Sequence, residues 1–136
     1  MILTDAGPLI ALLDRDDFNH TKCFEAAEQI AAEPLLTTWP CFAEAMYLLG
    51  EIGSFRYQTE LWKLPKAGRL LFPDLSFPNI ERMAALMEKY QDVPMDLADA
   101  SLIAVAETLS LGQVFTVDSD FNIYRLADGT ALKIIP

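Results

Sequence analysis

The chain has 136 residues, of which 52% are hydrophobic and 22% charged, a balance that excludes a disordered segment. No apolar run reaches the roughly 20 residues that cross a bilayer, so we expect no membrane partner. The formal net charge of −10 disfavours nonspecific nucleic-acid binding, which needs a locally basic surface or a bridging cation.

The amino terminus and the cysteines indicate the compartment. The first residues, MILTDAGPLIALLD, lack a basic leader and contain an aspartate, unlike a secretory signal. Cys23 and Cys41 lie in apolar segments without the spacing of a metal site, which favours two buried thiols over a disulfide. No repeat or linker interrupts the chain. We therefore expect a cytoplasmic protein with a single domain over residues 1–136.

The first half of the chain alternates short apolar runs with helical patterns. The predicted elements are, in order, a strand ending at Asp5, a helix from GPLIALLD, an amphipathic helix over 19–32, a strand at LLTT and a helix over 39–52. The helix over 19–32 places Cys23, Phe24, Ala27 and Ile30 on one face.

The second half continues the alternation. Gly50 and Gly53 end the preceding helix, and a shorter helix over 54–67 breaks near Pro65. The elements that follow are a strand in RLLFPDL, a helix over 79–90 capped by Asn79 with Ile80, Met83, Ala84 and Met87 on one face, an apolar helix from LADASLIAVAETLSL, a strand QVFTVD ending at Asp118, and an edge strand ALKII. Strands separated by helices predict an α/β fold with a mostly parallel sheet covered on both faces.

Four acids occupy places where a carboxylate can meet a ligand. Asp5 and Asp118 end predicted parallel strands, and ligands of open α/β sheets bind beyond the carboxyl ends of strands. Glu44 lies one turn before Leu48 on an otherwise apolar stripe, so we expect its carboxylate to point along the buried face and to need a partner or a cation. Asp99 lies at the start of the apolar helix, near the positive end of its dipole.

Each acid also has an ordinary structural explanation. Asp96 precedes the apolar helix and forms a capping-box pattern with Asp99, so we assign Asp96 to capping rather than to metal binding. Asp5 alone fits a turn, as do Asp118 and Asp120. The combination is harder to explain in this way, because four separate segments each supply an acid.

The ligand chemistry points to a hard cation. Carboxylates without a histidine or cysteine partner suit Mg²⁺ or Mn²⁺. His20, the only histidine, lies at an exposed helix start, where a surface or capping role is the simpler explanation. No GxSxG elbow, Gly-rich phosphate loop or Cys/His pair is present. We therefore expect the metal to activate water, as carboxylate-only sites do when they hydrolyse nucleic acids.

Four segments together resemble the PIN-domain ribonucleases, especially the VapC-type toxins of prokaryotic toxin–antitoxin pairs. ILTDAGPLIALLD is similar to the family's first strand with its aspartate, Asp5, and TTWPCFAEAMYLL to the helix with its glutamate, Glu44. PMDLADASLIAVAE matches the third acid at Asp99, and VFTVDSDFNIYR matches the polar and acidic positions at Thr116 and Asp118. The segments occur in the family's order over nearly the whole chain.

The resemblance implies a three-layer α/β/α sandwich, a Mg²⁺ or Mn²⁺ site and hydrolysis of RNA. The implied catalytic residues are Asp5, Glu44, Asp99 and Asp118, with Asp5, Asp99 and Asp118 as metal contacts and Asp96, Thr116 and Asp120 in supporting roles. A homodimer also follows from the resemblance. For toxins it further implies inhibition by an antitoxin peptide laid across the active-site groove.

A basic segment between Ser54 and Leu70 offers a local answer to the acidic net charge. Lys63, Lys66 and Arg69 lie there among aromatic residues, so we predict that they contact RNA. The alternative is a solvated helix face whose aromatic residues belong to the core or to a partner interface.

Two other functions share parts of this pattern. A receiver-type phosphoacceptor domain also binds Mg²⁺ at strand ends, but it needs a second acid beside the first-strand aspartate, and Asp5 has no acidic neighbour. A stand-alone or catalytically inactive PIN-like RNA-binding module would keep the fold without cleavage. The presence of all four acids favours the nuclease.

Overall fold

A parallel five-stranded sheet organises the chain. The computed structural model describes all residues from Met1 to Pro136. The strands are β1 (Ile2–Thr4), β2 (Leu35–Leu36), β3 (Leu70–Leu71), β4 (Gln113–Phe115) and β5 (Lys133–Ile135). Their order is β3-β2-β1-β4-β5, and every neighbouring pair is parallel. The predicted parallel sheet, with ALKII at its edge, is confirmed.

Five helices connect or follow the strands. They are α1 (Ala6–Leu13), α2 (His20–Gln29), α3 (Trp39–Lys66), α4 (Phe77–Lys89) and α5 (Leu97–Leu109). A short 3₁₀ turn over Ser119–Asn122 follows β4. None of the helices combines the length and the apolar character that a membrane crossing requires.

Alternate strand residues divide the core between the two faces of the sheet. Leu3, Leu36 and Val114 pack with residues of α4 and α5. Ile2 and Phe115 pack with α1 and α2 on the other face, where α1 also packs against α3. The fold is therefore the expected three-layer α/β/α sandwich. Because the strands are parallel, their carboxyl ends share one edge of the sheet.

α3 consists of two helical segments joined by a bend. Gly53 and Ser54 have non-helical backbone angles, with φ of −129° and 55°, at the break that the sequence predicts. The second segment folds back beside the first, so that the ring centroids of Trp62 and Phe42 lie 5.0 Å apart. The two predicted helices are thus confirmed, and they pack against each other.

The start of α4 differs from the prediction. The helix begins at Phe77, and Ser76 is its N-cap. Asn79 is the third helical residue, and its side-chain oxygen accepts a hydrogen bond from the backbone N–H of Ser76 at 2.9 Å. Asn79 is therefore the second member of a capping box and not the cap itself.

Two predicted helix faces are rotated from their expected positions. In α4, Ile80 and Ala84 are exposed, whereas Met83 and Leu86 are buried. In α2, Phe24 is half-exposed. A helix turns by about 100° per residue, so a shift of one position exposes one border of an apolar stripe and buries the other.

Candidate active site

Asp5 lies at the carboxyl end of β1, as predicted, and is the N-cap of α1. Its Oδ1 accepts a hydrogen bond from the Ala6 N–H, and its Oδ2 accepts one from the Thr116 hydroxyl, both at 2.8 Å. Burial raises the pKa of Asp5, these two hydrogen bonds oppose the rise, and the charges of Asp118 and Asp96 add to it. A buried carboxyl is thus held among other acids.

The start of α5 carries the predicted capping pair. Asp96 is the N-cap, and its carboxylate accepts a hydrogen bond from the Asp99 N–H at 2.8 Å. Asp99 is buried, and its Oδ2 accepts a hydrogen bond from the Tyr124 hydroxyl at 3.0 Å. Burial, followed by the charge of Asp96, raises the pKa of Asp99 to about 7. The capping role of Asp96 is confirmed, and the charge of Asp5 also acts on Asp99.

Asp118 lies beyond its strand rather than at its end. β4 ends at Phe115, and Asp118 is the N-cap of the following 3₁₀ turn, its carboxylate accepting a hydrogen bond from the Asp120 N–H at 2.9 Å. The Thr116 hydroxyl accepts from the Asp118 N–H at 3.0 Å and donates to Asp5. One hydroxyl therefore connects the segments that carry two of the predicted acids, and Asp120 holds the turn.

Glu44 is exposed, which corrects the expectation that its side chain follows the buried face of α3. Leu48, one turn later on the same face, is itself 37% exposed. The Glu44 carboxylate nevertheless borders the site. Partial burial raises its pKa, and the charges of Asp96, Asp5 and Asp118 raise it further. Glu44 thus stands at the rim of the acid cluster.

The supporting contacts of Cys41 and Ser101 were not predicted. The Cys41 thiol lies 3.9 Å from the Asp5 Oδ1 and 3.7 Å from the Ala98 carbonyl oxygen. Burial and then Asp5 raise the pKa of Cys41, so this sulfur stays a neutral thiol. Ser101 donates to Ala98 at 2.7 Å, so Thr38 is the donor in the 2.6 Å bond between the two hydroxyls. These bonds join the start of α3 to α5.

The family comparison agrees with this fold. The family model described as PIN domain matches residues 2–127. This chain belongs to the PIN domain family.

Individual relatives resemble the chain along nearly its full length. Ribonuclease VapC26 of Mycobacterium tuberculosis is 23% identical over 136 residues, covering 99% of this chain and 100% of that protein. The crystal structure of M. tuberculosis VapC20, described as a sarcin–ricin loop cleaving toxin, gives a TM-score of 0.80 at 16% identity, covering 90% of this chain and 94% of that one. The Rickettsia felis VapBC2 structure, bound to a promoter DNA fragment, gives 0.69 at 14% identity, covering 98% and 97%. At these identities the structural likeness establishes the fold.

The acid cluster of this PIN domain has no positive partner. The ion pairs lie elsewhere and join the amino terminus to Glu33, Lys63 to Glu60, and Arg82 to Glu107. In the observed side-chain conformations, no group of three His, Cys, Asp or Glu side chains is close enough together to hold a metal ion. Mg²⁺ usually takes one or two carboxylates together with waters and substrate phosphate, so a smaller set of direct contacts suffices. The oxygen-only donors and the unbalanced charge fit such a cation.

The basic residues predicted to contact RNA lie outside the acid cluster. Lys63 pairs with Glu60 at 2.7 Å on α3, and Lys66 is the exposed last residue of that helix. Arg69 precedes β3, and its carbonyl oxygen accepts from the Leu35 N–H at the amino-terminal end of β2. Arg69 thus lies at the amino-terminal ends of the strands, whereas the acids lie at the carboxyl ends. RNA contact by these three residues stays a prediction.

Proposed function

We propose that this protein is an endoribonuclease that depends on Mg²⁺ or Mn²⁺ and acts as the toxin of a VapBC-type pair. The observation that carries the proposal is the buried, uncompensated acid cluster around Asp5 and Asp99 at the carboxyl edge of the sheet. The ribonuclease name of VapC26 and the toxin description of VapC20 support RNA as the substrate.

The residues of the acid cluster have different proposed roles around the phosphate that reacts. The proposed metal contacts, direct or through water, are Asp5, Asp99 and Asp118. A bound cation lowers the pKa of a water molecule and neutralises charge on the phosphodiester. Both oxygens of Asp5 are oriented by hydrogen bonds, Oδ1 from the Ala6 N–H and Oδ2 from the Thr116 hydroxyl. Tyr124 donates to Oδ2 of Asp99, which leaves Oδ1 of Asp99 to face a ligand. We propose that Glu44, at the rim, orients the attacking water.

The partners follow from the same comparison. A VapBC2 assembly is among the similar structures, which supports an antitoxin partner. We propose that a peptide of this partner covers the acid edge. We also propose a homodimer that works in the cytoplasm. Size-exclusion chromatography with light scattering tests the dimer, and a small upstream reading frame for a DNA-binding protein would support the pairing.

Cleavage by the purified chain, free of antitoxin, tests the nuclease. We expect RNA to be cut with Mg²⁺ or Mn²⁺ and not with EDTA. Asp5→Asn and Asp99→Asn should each lower the rate by at least about 100-fold, because loss of a metal contact exceeds the 10–100-fold effect of its outer partners. Asp128→Asn, at an exposed loop position, is the matched control and should cut normally. Undiminished cleavage by both site variants would reveal a contaminating nuclease and refute the proposal.

Crystals soaked in Mn²⁺ test the ligand assignment separately. Anomalous density is expected among Asp5, Asp99 and Asp118. A peak at any other place would show that these acids are not the metal contacts, whatever the cleavage assay gives.

A further inference from the structure

An aromatic cluster lies beside the acid edge, on the β3 side of α3. Trp39 stacks on Phe72 with ring centroids 4.1 Å apart and an angle of 14° between the planes. Phe42, only 2% exposed, meets both rings edge-on at 5.7 and 5.0 Å and holds the pair in place. Trp39 nevertheless remains 56% exposed. The cluster thus fixes a large flat ring at the surface.

The stacked pair shares the carboxyl edge of the sheet with the acids. Trp39 begins the helix that follows β2, and Phe72 directly follows β3. The Thr37 hydroxyl donates to the Thr4 carbonyl at 2.8 Å, next to Asp5. β1 and β3 are separated by two strand spacings, roughly 10 Å. A phosphate held at the acids therefore has its flanking nucleotides within reach of the stacked pair.

The charge of the chain favours a contact that does not depend on charge. The formal net charge of −10 weakens any binding that relies on phosphate attraction. Stacking of a nucleobase on an aromatic ring needs no positive field and accepts every base. A ring already held by its neighbours also loses little conformational freedom when a base covers it.

The bend of α3 supports the aromatic cluster from a second side. Gln58 donates to the Met46 carbonyl at 3.2 Å, and the ring centroids of Trp62 and Phe42 lie 5.0 Å apart, so the second segment runs back along the first. Phe42 therefore contacts Trp62 as well as both rings of the stacked pair.

We propose that Trp39, backed by Phe72, stacks an unpaired base of the RNA next to the cleaved phosphate. The inference rests on the proposed nuclease function and adds a substrate requirement to it. The RNA must present a single-stranded or splayed nucleotide beside the cleavage site. A fully paired duplex at that position offers no free base face, so it is a poor substrate.

Fluorescence titration tests the contact without turnover. Trp39 and Trp62 are the two tryptophans, so a Trp62→Phe background leaves Trp39 as the single reporter. With Asp5→Asn added to prevent cleavage, an unstructured oligoribonucleotide should quench this fluorescence. Trp39→Ala should weaken binding, measured by anisotropy of labelled RNA, by about 5- to 100-fold, and Trp39→Tyr should restore most of the affinity.

A matched control removes an exposed ring of another region. Phe18 is 98% exposed and lies between α1 and α2, outside the basic segment and the aromatic cluster. Phe18→Ala should bind RNA as the parent does. Circular dichroism of Trp39→Ala and Trp39→Tyr shows whether each variant is folded, and the tyrosine variant keeps the test valid if the alanine variant is not.

An abasic substitution in the RNA identifies the stacked base. Once the cleavage position is mapped, removing one flanking base should weaken binding to the parent about as much as Trp39→Ala does. The same abasic RNA should bind Trp39→Ala with no further loss, because both changes remove one contact. Losses that multiply would show that the ring and the base do not touch, and would overturn the proposal.

The outcomes separate this inference from the nuclease function. If Asp5→Asn abolishes cleavage while Trp39→Ala binds RNA with unchanged affinity, the nuclease stands and the stacking contact is wrong. If the unmodified chain cuts no RNA, the nuclease is wrong, and the quenching still measures base contact. If Trp39→Ala dissociates a dimer and leaves RNA affinity unchanged, the cluster is a subunit interface and the inference fails.

Discussion

The carboxylates at the two ends of α5 have pKa values that are shifted in opposite directions. Near its last turn, burial alone would raise the pKa of Glu107, but hydrogen bonds from the Arg82 guanidinium and the Ala127 N–H lower it below the usual range. At its first turn the Asp99 carboxylate accepts from the Tyr124 hydroxyl and the Asp96 N–H but has no cationic partner, and burial raises its pKa. The paired acid serves the fold. Burial of the unpaired acid lowers the stability of the folded chain, and on the proposed function we expect a cation to offset that cost.

The largest effect expected from this comparison is stabilisation by metal. An ion that binds only the folded state adds about 2.7 kcal/mol at 100 times its Kd, several degrees in Tm. Mg²⁺ or Mn²⁺ should therefore raise the Tm of the unmodified chain, and Asp5→Asn or Asp99→Asn should remove most of the rise. Glu107→Gln, at the paired end of α5, should keep the full response. An equal rise in all four proteins would show that the ion binds elsewhere.

A smaller effect is expected at the paired end. Arg82→Leu leaves the Glu107 carboxylate, 18% exposed, without its guanidinium and should lower the free energy of unfolding by about 1–3 kcal/mol. Urea denaturation measures the loss, and RNA cleavage below the transition should be unchanged. The Arg82→Leu, Glu107→Leu double variant should lose less than the single one, because no charge is left unpaired. A variant of normal stability with impaired cleavage would contradict the division of roles.

The positions of the acids could be predicted where they depend only on neighbouring residues in the sequence. Asp5 follows an apolar run and precedes a helix, and Asp96 stands three residues before Asp99, so the strand end and the capping box are both visible in the sequence. The parallel order of the strands then brings separate segments to one edge. The expected cluster around Asp5 therefore needed no contact information.

The remaining features depend on packing. Whether Glu44 lies inside or at the rim is decided by a rotation of α3 that apolar spacing does not define. Tyr124 bonds Asp99 across 25 residues of sequence, and no periodic pattern connects the two positions. The Ser76 cap carried a signal in the following Phe77-Pro78, since proline is favoured in the first turn of a helix, but Asn79 offered an equally good cap.

The smallest expected effect is the pH dependence of the metal-free protein, and its sign distinguishes the two ends of α5. The pKa of Asp99 is raised from 3.8 to about 7, so between these values the folded state binds more protons than the unfolded state. Stability is then greatest at low pH in this window and falls as pH rises toward 7. Asp5 and Glu44, whose pKa values are also raised, act in the same direction.

In EDTA, the Tm should therefore fall by a few degrees, about 1 kcal/mol, between pH 6.2 and 8. Glu107 stays ionised in both states over this range, because its pKa is lowered from 4.5, so the paired end does not mask the effect. Asp99→Asn should flatten the profile and raise the Tm at pH 8, since the amide oxygen still accepts from Tyr124 without a charge. Saturating Mg²⁺ should also flatten it, because the cation favours the ionised acids. A metal-free Tm that rises with pH would mean that the acids are already compensated within the fold, and the contrast between the two ends of α5 would fail.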